Sequence, residues 1–361
     1  MSRLNQFLKG IKVVDLSRHL PGPLASLSLA EMGAEVIKVE PPQGEEMRFI
    51  GPEGPNNRSA YFDAVNGNKK GVKLNLKDMQ DRDKFLELIA DADVLLESFR
   101  PGVLGKLDLS VELLHDHAPQ LIICSLNGYG DNSPLVKEVG HDLNYLAMNG
   151  VLEGTGTLDQ AVAPWPPLAD CAGGLYGLST VLGAIIERQR TGKGCHIEVA
   201  LADSVMPLMA FPLADLGLTG KGMPRGEALL NGGAARYKTY LTKDNKSVAL
   251  GGVEPKFWQN FCTAAGKKEW IERMNDPLPQ TELQQEVAEF IAQLTLDECN
   301  TMFGNVDCCY NEVLELSDAV NTPHIKSRKL VVKTDKGEYQ ALYPAYVDGE
   351  APLPRKGFEE L

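Results

Sequence analysis

From Ile11 to Leu126 the chain switches repeatedly between two hydrophobic periods, and this alternation restricts its fold more than any other feature. Ile11-Lys12-Val13-Val14-Asp15-Leu16 is a short, β-branched run that predicts a strand; a loop from Ser17 to Pro23 follows, containing Pro-Gly-Pro. Leu24 to Met32 reads as a helix with Gly33 as its C-terminal stop. Glu35 to Glu40 predicts a second strand, Lys84 to Ala90 a helix and Asp93 to Leu96 a strand. Leu121 to Leu126 predicts another strand, ending in Gly128-Tyr129-Gly130. Strand, helix and strand in regular succession require right-handed crossovers and a parallel sheet, so the fold class is α/β. Ligands of such sheets sit beyond the carboxyl ends of the strands. The loops after Leu16, Val39, Leu96 and Leu126 are therefore the first places to look for a site.

The later part of the chain has a different character. Gly173 to Arg190 is rich in small residues and then helical, Thr191-Gly192-Lys193-Gly194 is a turn, and Cys195 to Ala200 is a strand. Gly217 to Gly233 reads as a glycine-rich connection. Tyr237 to Leu241 and Ser247 to Leu250 flank the turn Lys243-Asp244-Asn245-Lys246, which predicts an antiparallel hairpin. Helical patterns cover 255–265, 281–293 and 296–304, and 329–345 reads as a second hairpin turning at Asp335-Lys336-Gly337. A chain of 361 residues exceeds one small core. The expected organisation is a large α/β domain over 1–224 with a linker from about 205, a small α+β domain over 225–320, and a return to the large domain over 321–361.

Charge and motifs exclude several function classes. A net charge of −13 opposes a general nucleic-acid surface, which needs a basic face, but leaves room for a local basic pocket. The seven cysteines lack the paired CxxC spacing of a zinc knuckle and predict reduced thiols. Met1-Ser2-Arg3-Leu4-Asn5-Gln6 has no apolar leader core, no stretch has the uninterrupted apolar length of a membrane span, and Glu359-Glu360-Leu361 is not a Ser-Lys-Leu address. These features predict a cytoplasmic protein, or an organelle-matrix one in a eukaryote, without a membrane partner. Arg18-His19-Leu20-Pro21-Gly22-Pro23 stands where a GxGxxG would follow the first strand, and GxxxxGK[ST] is absent, which disfavours dinucleotide and nucleotide-triphosphate enzymes. The six histidines show no HxxxH or HExxH spacing, so no metal set is expected, and there is no GxSxG elbow.

Three ionisable residues stand out. His141, in Gly140-His141-Asp142-Leu143-Asn144-Tyr145, precedes a predicted helix; a lone histidine there is usually a capping or packing residue. Asp170, in Ala169-Asp170-Cys171-Ala172-Gly173-Gly174, reads in the same way as an ordinary N-cap. Its apolar, small-residue surroundings allow a ligand to approach the backbone and leave the carboxyl pKa open to tuning. Glu254, between Gly251-Gly252-Val253 and Pro255, is either a plain N-cap ahead of proline or a carboxylate that orients an imidazole. Among the cations, Lys69, Lys70 and Lys73 read by default as solvated. Arg100, set between Phe99 and Pro101, is the stronger phosphate ligand, because a guanidinium both bonds phosphate and stacks on a base.

An ordered set of motifs over nearly the whole chain resembles the family III CoA-transferases (CaiB/BaiF), and within them the branch of α-methylacyl-CoA racemases. The set comprises Gly10 to Ser17, Pro21-Gly22-Pro23, Met32 to Glu40, Asn68-Lys69-Lys70, Arg100-Pro101-Gly102, Gly128-Tyr129-Gly130, Gly140 to Tyr145 and Asp170 to Gly174. It continues with Glu187-Arg188, Thr191 to Gly194, Gly232-Gly233 and Gly252 to Phe257. The resemblance implies a Rossmann-like large domain, a smaller α+β domain and an interlocked homodimer with its site between subunits. It implies an acyl-CoA substrate and no metal or nicotinamide. In the transferases the residue matching Asp170 forms an acyl-anhydride; in the racemases it is an acid/base, and the residues matching His141 and Glu254 partner each other.

The chemistry implied for this chain is inversion of the α-carbon of a 2-methylacyl-CoA thioester by two-base proton transfer through an enolate. His141, held by Glu254, serves one face and Asp170 the other, with the backbone N–H of Asp142 receiving the enolate oxygen. Lys38, Lys69, Lys70, Phe99 and Arg100 form the expected CoA-binding set. The rival is a CoA-transferase that uses Asp170 as nucleophile, and an idle acyl-CoA-binding protein is the third reading. Two positions depart from the racemase pattern: Cys171, where a Phe often follows the Asp, and Glu312, where a Pro is usual. The first bears on the shape of the acyl pocket.

Overall fold

In a computed structural model, which describes residues 2–54 and 58–361, the expected parallel sheet is present. Its strands are β1 (Lys12–Asp15), β2 (Glu35–Glu40), β3 (Lys70–Lys73), β4 (Val94–Glu97), β5 (Ile122–Asn127) and β6 (Cys195–Ala200). The rest of the chain adds β7 (Tyr237–Leu241), β8 (Ser247–Gly251), β9 (Tyr310–Glu312), β10 (Val331–Lys333), β11 (Tyr339–Ala341) and β12 (Glu359–Glu360). The large sheet runs β12-β3-β2-β1-β4-β5-β6 with every pairing parallel. The order 3-2-1-4-5-6 is that of doubly wound dinucleotide-binding sheets, and it reverses between β1 and β4, where such folds bind their ligands.

The central strands β4 and β5 are buried along their whole length. Val13, Val36, Val94, Leu96, Ile122 and Cys124 pack on one side beneath the Pro21–Glu31 and Leu168–Thr191 helices. Val14, Val39, Leu95 and Ile123 pack on the other with Phe85 and Ile89 of the Met79–Ala90 helix and Leu114 of the Val111–His117 helix. Near-continuous apolar runs in place of polar alternation are the signature of a doubly covered parallel sheet.

The Leu168–Thr191 helix bears on two sequence expectations. At 24 residues it is long and apolar enough, by length and composition alone, to cross a membrane, although half of its most apolar window is buried within the protein. Its small residues also serve helix packing, a role the sequence did not signal. A Cβ placed on Gly174 would lie 2.6 Å from the carbonyl oxygen of Pro21, so the two helices cross at a distance only glycine permits.

Two compact units divide the chain differently from the expected 225–320 insertion. The first comprises the residues up to Leu146, Trp165–Leu208 and Val320–Leu361; the second comprises Ala147–Pro164 and Met209–Ala319. The second unit therefore starts earlier and takes in 147–164, because Arg225 binds that segment through the Glu153 carboxylate at 2.8 Å and the Thr157 carbonyl at 3.1 Å. In it, β7, β8 and β9 form an antiparallel sheet against the Pro255–Ala264, Thr281–Ile291 and Leu296–Phe303 helices. Trp258, Phe261 and Phe303 stack at its centre, with ring centroids 5.5 and 4.8 Å apart in sequence. The expected linker from about 205 contains a helix, Ala210–Thr219, which ends inside the Gly217–Gly233 connection. Glu312 closes β9 and accepts from the Asn300 amide at 3.0 Å.

At the carboxyl ends of β1 and β2 lies a buried ionic cluster. Lys69 Nζ donates to Asp15 at 3.1 Å, to Asn66 Oδ1 at 2.8 Å and to the Pro23 carbonyl at 3.0 Å, and both charged groups are fully buried. Lys38 Nζ donates to the Ser17 carbonyl at 2.8 Å and lies 3.3 Å from Glu45. Burial alone would raise the Asp15 carboxyl; Lys69, Lys38 and the hydroxyls of Ser17 and Ser26 overcome it and hold the group far below the usual carboxylate range. Burial lowers the Lys69 ammonium to about 8. Replacing Lys69 with Met removes the direct ion-pair partner of the buried Asp15 charge, so the variant is expected to lose about 3–5 kcal/mol of stability in urea melts. Adding Asp15→Asn should restore part of that loss; a double variant no more stable than Lys69→Met would refute the pairing.

Candidate active site

Two motifs that are separate in sequence meet through one carboxylate. His141 precedes the Asp142–Met148 helix; its N–H donates to Asn144 Oδ1 at 3.0 Å and its carbonyl accepts the Asn144 N–H at 2.8 Å. The side chain of Asp142 does not cap that helix. Asp142 Oδ1 instead accepts the N–H groups of Ala169 at 2.6 Å and Asp170 at 3.1 Å, in the first turn of the Leu168–Thr191 helix. The residue at that helix's own N-cap is Pro167, which makes no capping bond, so Asp142 supplies the missing acceptor from a distant segment. Asp170 is thus a first-turn residue and not the N-cap expected from sequence.

His141 and Asp170 line one cavity of about 350 Å³. Its other walls come from the loops after β1, β4 and β5, including Arg18, Phe99, Arg100, Gly128 and Tyr129. Tyr145 closes the floor, donating to the Gly140 carbonyl at 2.7 Å and meeting Tyr129 edge-to-face at 5.2 Å. Burial raises the Asp170 carboxyl to about 6; the Asp142 carboxylate adds to the rise and His141 opposes it. The same burial, with the charges of Asp170 and Asp142, raises the Cys171 thiol. The imidazole of His141 is exposed and the Asp170 carboxyl only partly covered, so both are open to a ligand in the cavity.

A second cleft of about 330 Å³ shares Arg18 and Phe99 with the first. It runs over the carboxyl ends of β1, β2 and β3, lined by Leu16, Val39, Pro41, Leu74 and Leu76. The Arg18 guanidinium lies 5.5 Å from the centroid of the Phe99 ring, and the Arg18 N–H donates to Ser98 Oγ at 2.9 Å. Sequence reasoning pointed to these loops by the strand-end rule but did not single out Arg18, whose signal was its place in the loop three residues beyond β1.

The expected CoA-binding cations separate into two groups. Arg100 is exposed and lines the cavity that holds His141 and Asp170. Lys38 and Lys69 do not: both are buried, with their donors used inside the ionic cluster, so neither is available to a phosphate from solvent. Lys70 lies on β3 and pairs with Glu35 at 2.9 Å. Glu254 belongs to the second unit, where it is exposed at the N-cap of the Pro255–Ala264 helix and makes no side-chain capping bond. Among the described residues, no group of three or more His, Cys, Asp or Glu side chains is placed to hold a metal ion.

Comparison with known proteins gives this geometry a family. The model of CoA-transferase family III matches residues 8–353. The chain belongs to that family. It is 34% identical to alpha-methylacyl-CoA racemase of Homo sapiens over 91% of this chain and 83% of the human protein. It is 30% identical to acetyl-CoA:oxalate CoA-transferase of Acetobacter aceti over 98% of this chain and 92% of that protein. A crystal structure of a CAIB/BAIF family protein from Brucella suis superposes with a TM-score of 0.85 at 29% identity, covering 98% of this chain and 95% of the other. Family III thus includes enzymes named for two different reactions, and this chain is similar to both kinds.

The charge on Asp142 can be separated from its capping bond. In Asp142→Asn the amide oxygen keeps the cap and the negative charge is gone. The titration midpoint of Asp170, followed by carboxyl carbon NMR, should then fall below about 6. An unmoved midpoint would remove Asp142 from the causes.

Proposed function

We propose that this family III enzyme is a racemase or epimerase that inverts the α-carbon of 2-methylacyl-CoA thioesters. The observation that carries the reading is the shared cavity of His141 and Asp170, with the Asp170 carboxyl raised to about 6. A carboxyl group poised near neutrality both takes and returns a proton at physiological pH, which a two-base reaction demands in both directions. The thioester acidifies the α-proton; His141 removes or delivers it on one face of Cα and Asp170 on the other. Each direction uses a different group as base while the other enters protonated. The backbone N–H of Asp142, in a first helical turn that lacks an intrahelical acceptor, is assigned to the enolate oxygen. Glu254 keeps the role implied by the resemblance, orienting the His141 imidazole.

Arg100 and Phe99 are assigned to CoA, joined by Arg18, and the apolar cleft beside them suits its nucleotide end. The reaction redistributes protons only and calls for neither metal nor nicotinamide. An interlocked homodimer is part of the proposal. It is supported by apolar side chains left exposed on the Leu168–Thr191 helix, Leu175 and Ile186 among them, and by the Ala210–Thr219 helix, which buries no residue and exposes Phe211 and Leu218.

The family's other reaction is the rival, favoured by the transferase relative that spans 98% of the chain. One stereoisomer of a 2-methylacyl-CoA in D₂O separates the two. Deuterium entering Cα without an acceptor acid, together with loss of optical purity, is the expected result. Exchange of CoA to an added carboxylic acid with no deuterium uptake would overturn it in favour of an Asp170 acyl-anhydride. Asp170→Asn and His141→Ala should each slow deuterium exchange by ~10²–10⁴-fold.

A further inference from the structure

Beside the proposed site lies a buried carboxyl group that the reaction does not use. Glu97 closes β4 and is 4% exposed. Its Oε2 accepts the Phe99 N–H at 2.7 Å, and the Ser125 hydroxyl on β5 lies beside the same carboxyl group and favours its ionised form. Ser125 Oγ in turn lies 2.9 Å from Nε2 of His196 on β6, an exposed residue. Adjacent strands β4, β5 and β6 therefore supply one member each to a line running from the protein interior to its surface. The arrangement is wrong for a hydrolytic triad, because the carboxyl group lies beside the serine and not the imidazole.

What Glu97 does hold is a turn of the site. Ser98 accepts the Arg18 N–H, the Phe99 ring lies under the Arg18 guanidinium, and Arg100 lines the cavity that contains His141 and Asp170. Arg100 also lines a separate cavity of about 190 Å³ whose wall includes Glu97, Ser125 and His196. We propose that Glu97 is a positioning residue: by accepting the Phe99 amide proton it fixes the Ser98–Arg100 turn against Arg18, and its ionisation, reached from solvent through His196 and Ser125, tunes the affinity for CoA. This rests on the acyl-CoA reading above.

Among the described residues, no cation bonds the Glu97 carboxyl directly. The groups around it are Cys124 and Ser125 on β5, Asp131 beyond that strand, His196 on β6, Glu112 from the Val111–His117 helix, and Arg100. Burial raises Glu97 to about 7, with Asp131 adding to the rise, while the Ser125 hydroxyl and the bond from the Phe99 N–H oppose it. The ionised group accepts the Phe99 N–H with its full charge, whereas the protonated group must also place an O–H, so the turn is held most firmly above about 7. The sign for folding is the opposite. A carboxyl group raised in the folded state contributes stability below its unfolded pKa and loses it as pH rises through the folded value.

The test is calorimetric titration of wild type, Glu97→Gln and Ser125→Ala with free CoA, from about pH 6 to about pH 8, beside their melting temperatures. Near pH 8, Glu97→Gln should bind CoA roughly three- to tenfold more weakly than wild type, and the ratio should close toward pH 6. Taking the ratio cancels titration of CoA itself. Ser125→Ala removes a hydroxyl that favours the ionised carboxylate, so the midpoint of its CoA affinity should move to higher pH. In turnover the loss should appear in KM more than in kcat, and Glu97→Gln should melt above wild type near pH 8. A wild-type protein that does not bind CoA would sink the acyl-CoA reading and this inference together. Binding by wild type with a Glu97→Gln ratio near one at every pH would overturn the positioning role alone. If Glu97→Gln does not fold, an unshifted midpoint in Ser125→Ala overturns it equally.

Discussion

The ion pair between Asp15 and Lys69 is the interaction on which the ligand-binding edge of the sheet depends. It joins the end of β1 to the start of β3, and through the Pro23 carbonyl it fastens the first turn of the Pro21–Glu31 helix. Lys38 extends the cluster from β2 to the Ser17 carbonyl and Glu45. A buried pair of this kind adds little net stability compared with apolar residues, because desolvation offsets the attraction. Its value lies in specificity: opposite charges deep in the fold accept one arrangement of three strands and a helix, and losing either partner is costly. The loop carrying Arg18 leaves β1 from this fixed point, and both clefts are lined by that residue.

The second organising bond is the cap that Asp142 places on the Leu168–Thr191 helix. It brings a carboxylate next to Asp170, which would be unfavourable were the arrangement selected for stability alone. Like charge and burial together keep the Asp170 proton within reach of neutral pH. A carboxyl group raised in this way contributes stability below its unfolded pKa and loses it as pH rises through about 6. The fold is thus least helped by Asp170 in the range where the proposed chemistry runs, a trade-off common to catalytic residues.

Much of this was legible in the residues. The β-branched runs at 11–16, 35–40 and 121–126 became β1, β2 and β5, and the turns expected at Lys243–Lys246 and Asp335–Gly337 formed, with positive φ at Asn245 and Gly337. Three strands escaped because pairing, not propensity, makes them: β3 carries Lys-Gly-Val-Lys, β9 Tyr-Asn-Glu and β12 only two glutamates. Each exists because a neighbouring strand presents unpaired backbone groups. Segment 147–164 was read with the wrong unit for a related reason, since its attachment to Arg225 is a long-range bond with no local signature.

The lysines make the division sharpest. The resemblance placed Lys38 and Lys69 in the expected CoA-binding set, and the folded chain buries both beside carboxylates. The sequence by itself determined the α/β class and the family and pointed to His141 and Asp170 as candidates, because those follow from periodicity, motif order and side-chain chemistry. Tertiary structure alone decided that Asp142 caps a distant helix, that two lysines are structural, and that Glu97 holds the turn beneath Arg18. The reason is physical. Burial and partnership set the charge and availability of an ionisable group, and neither is a property of the residue until the chain has folded around it.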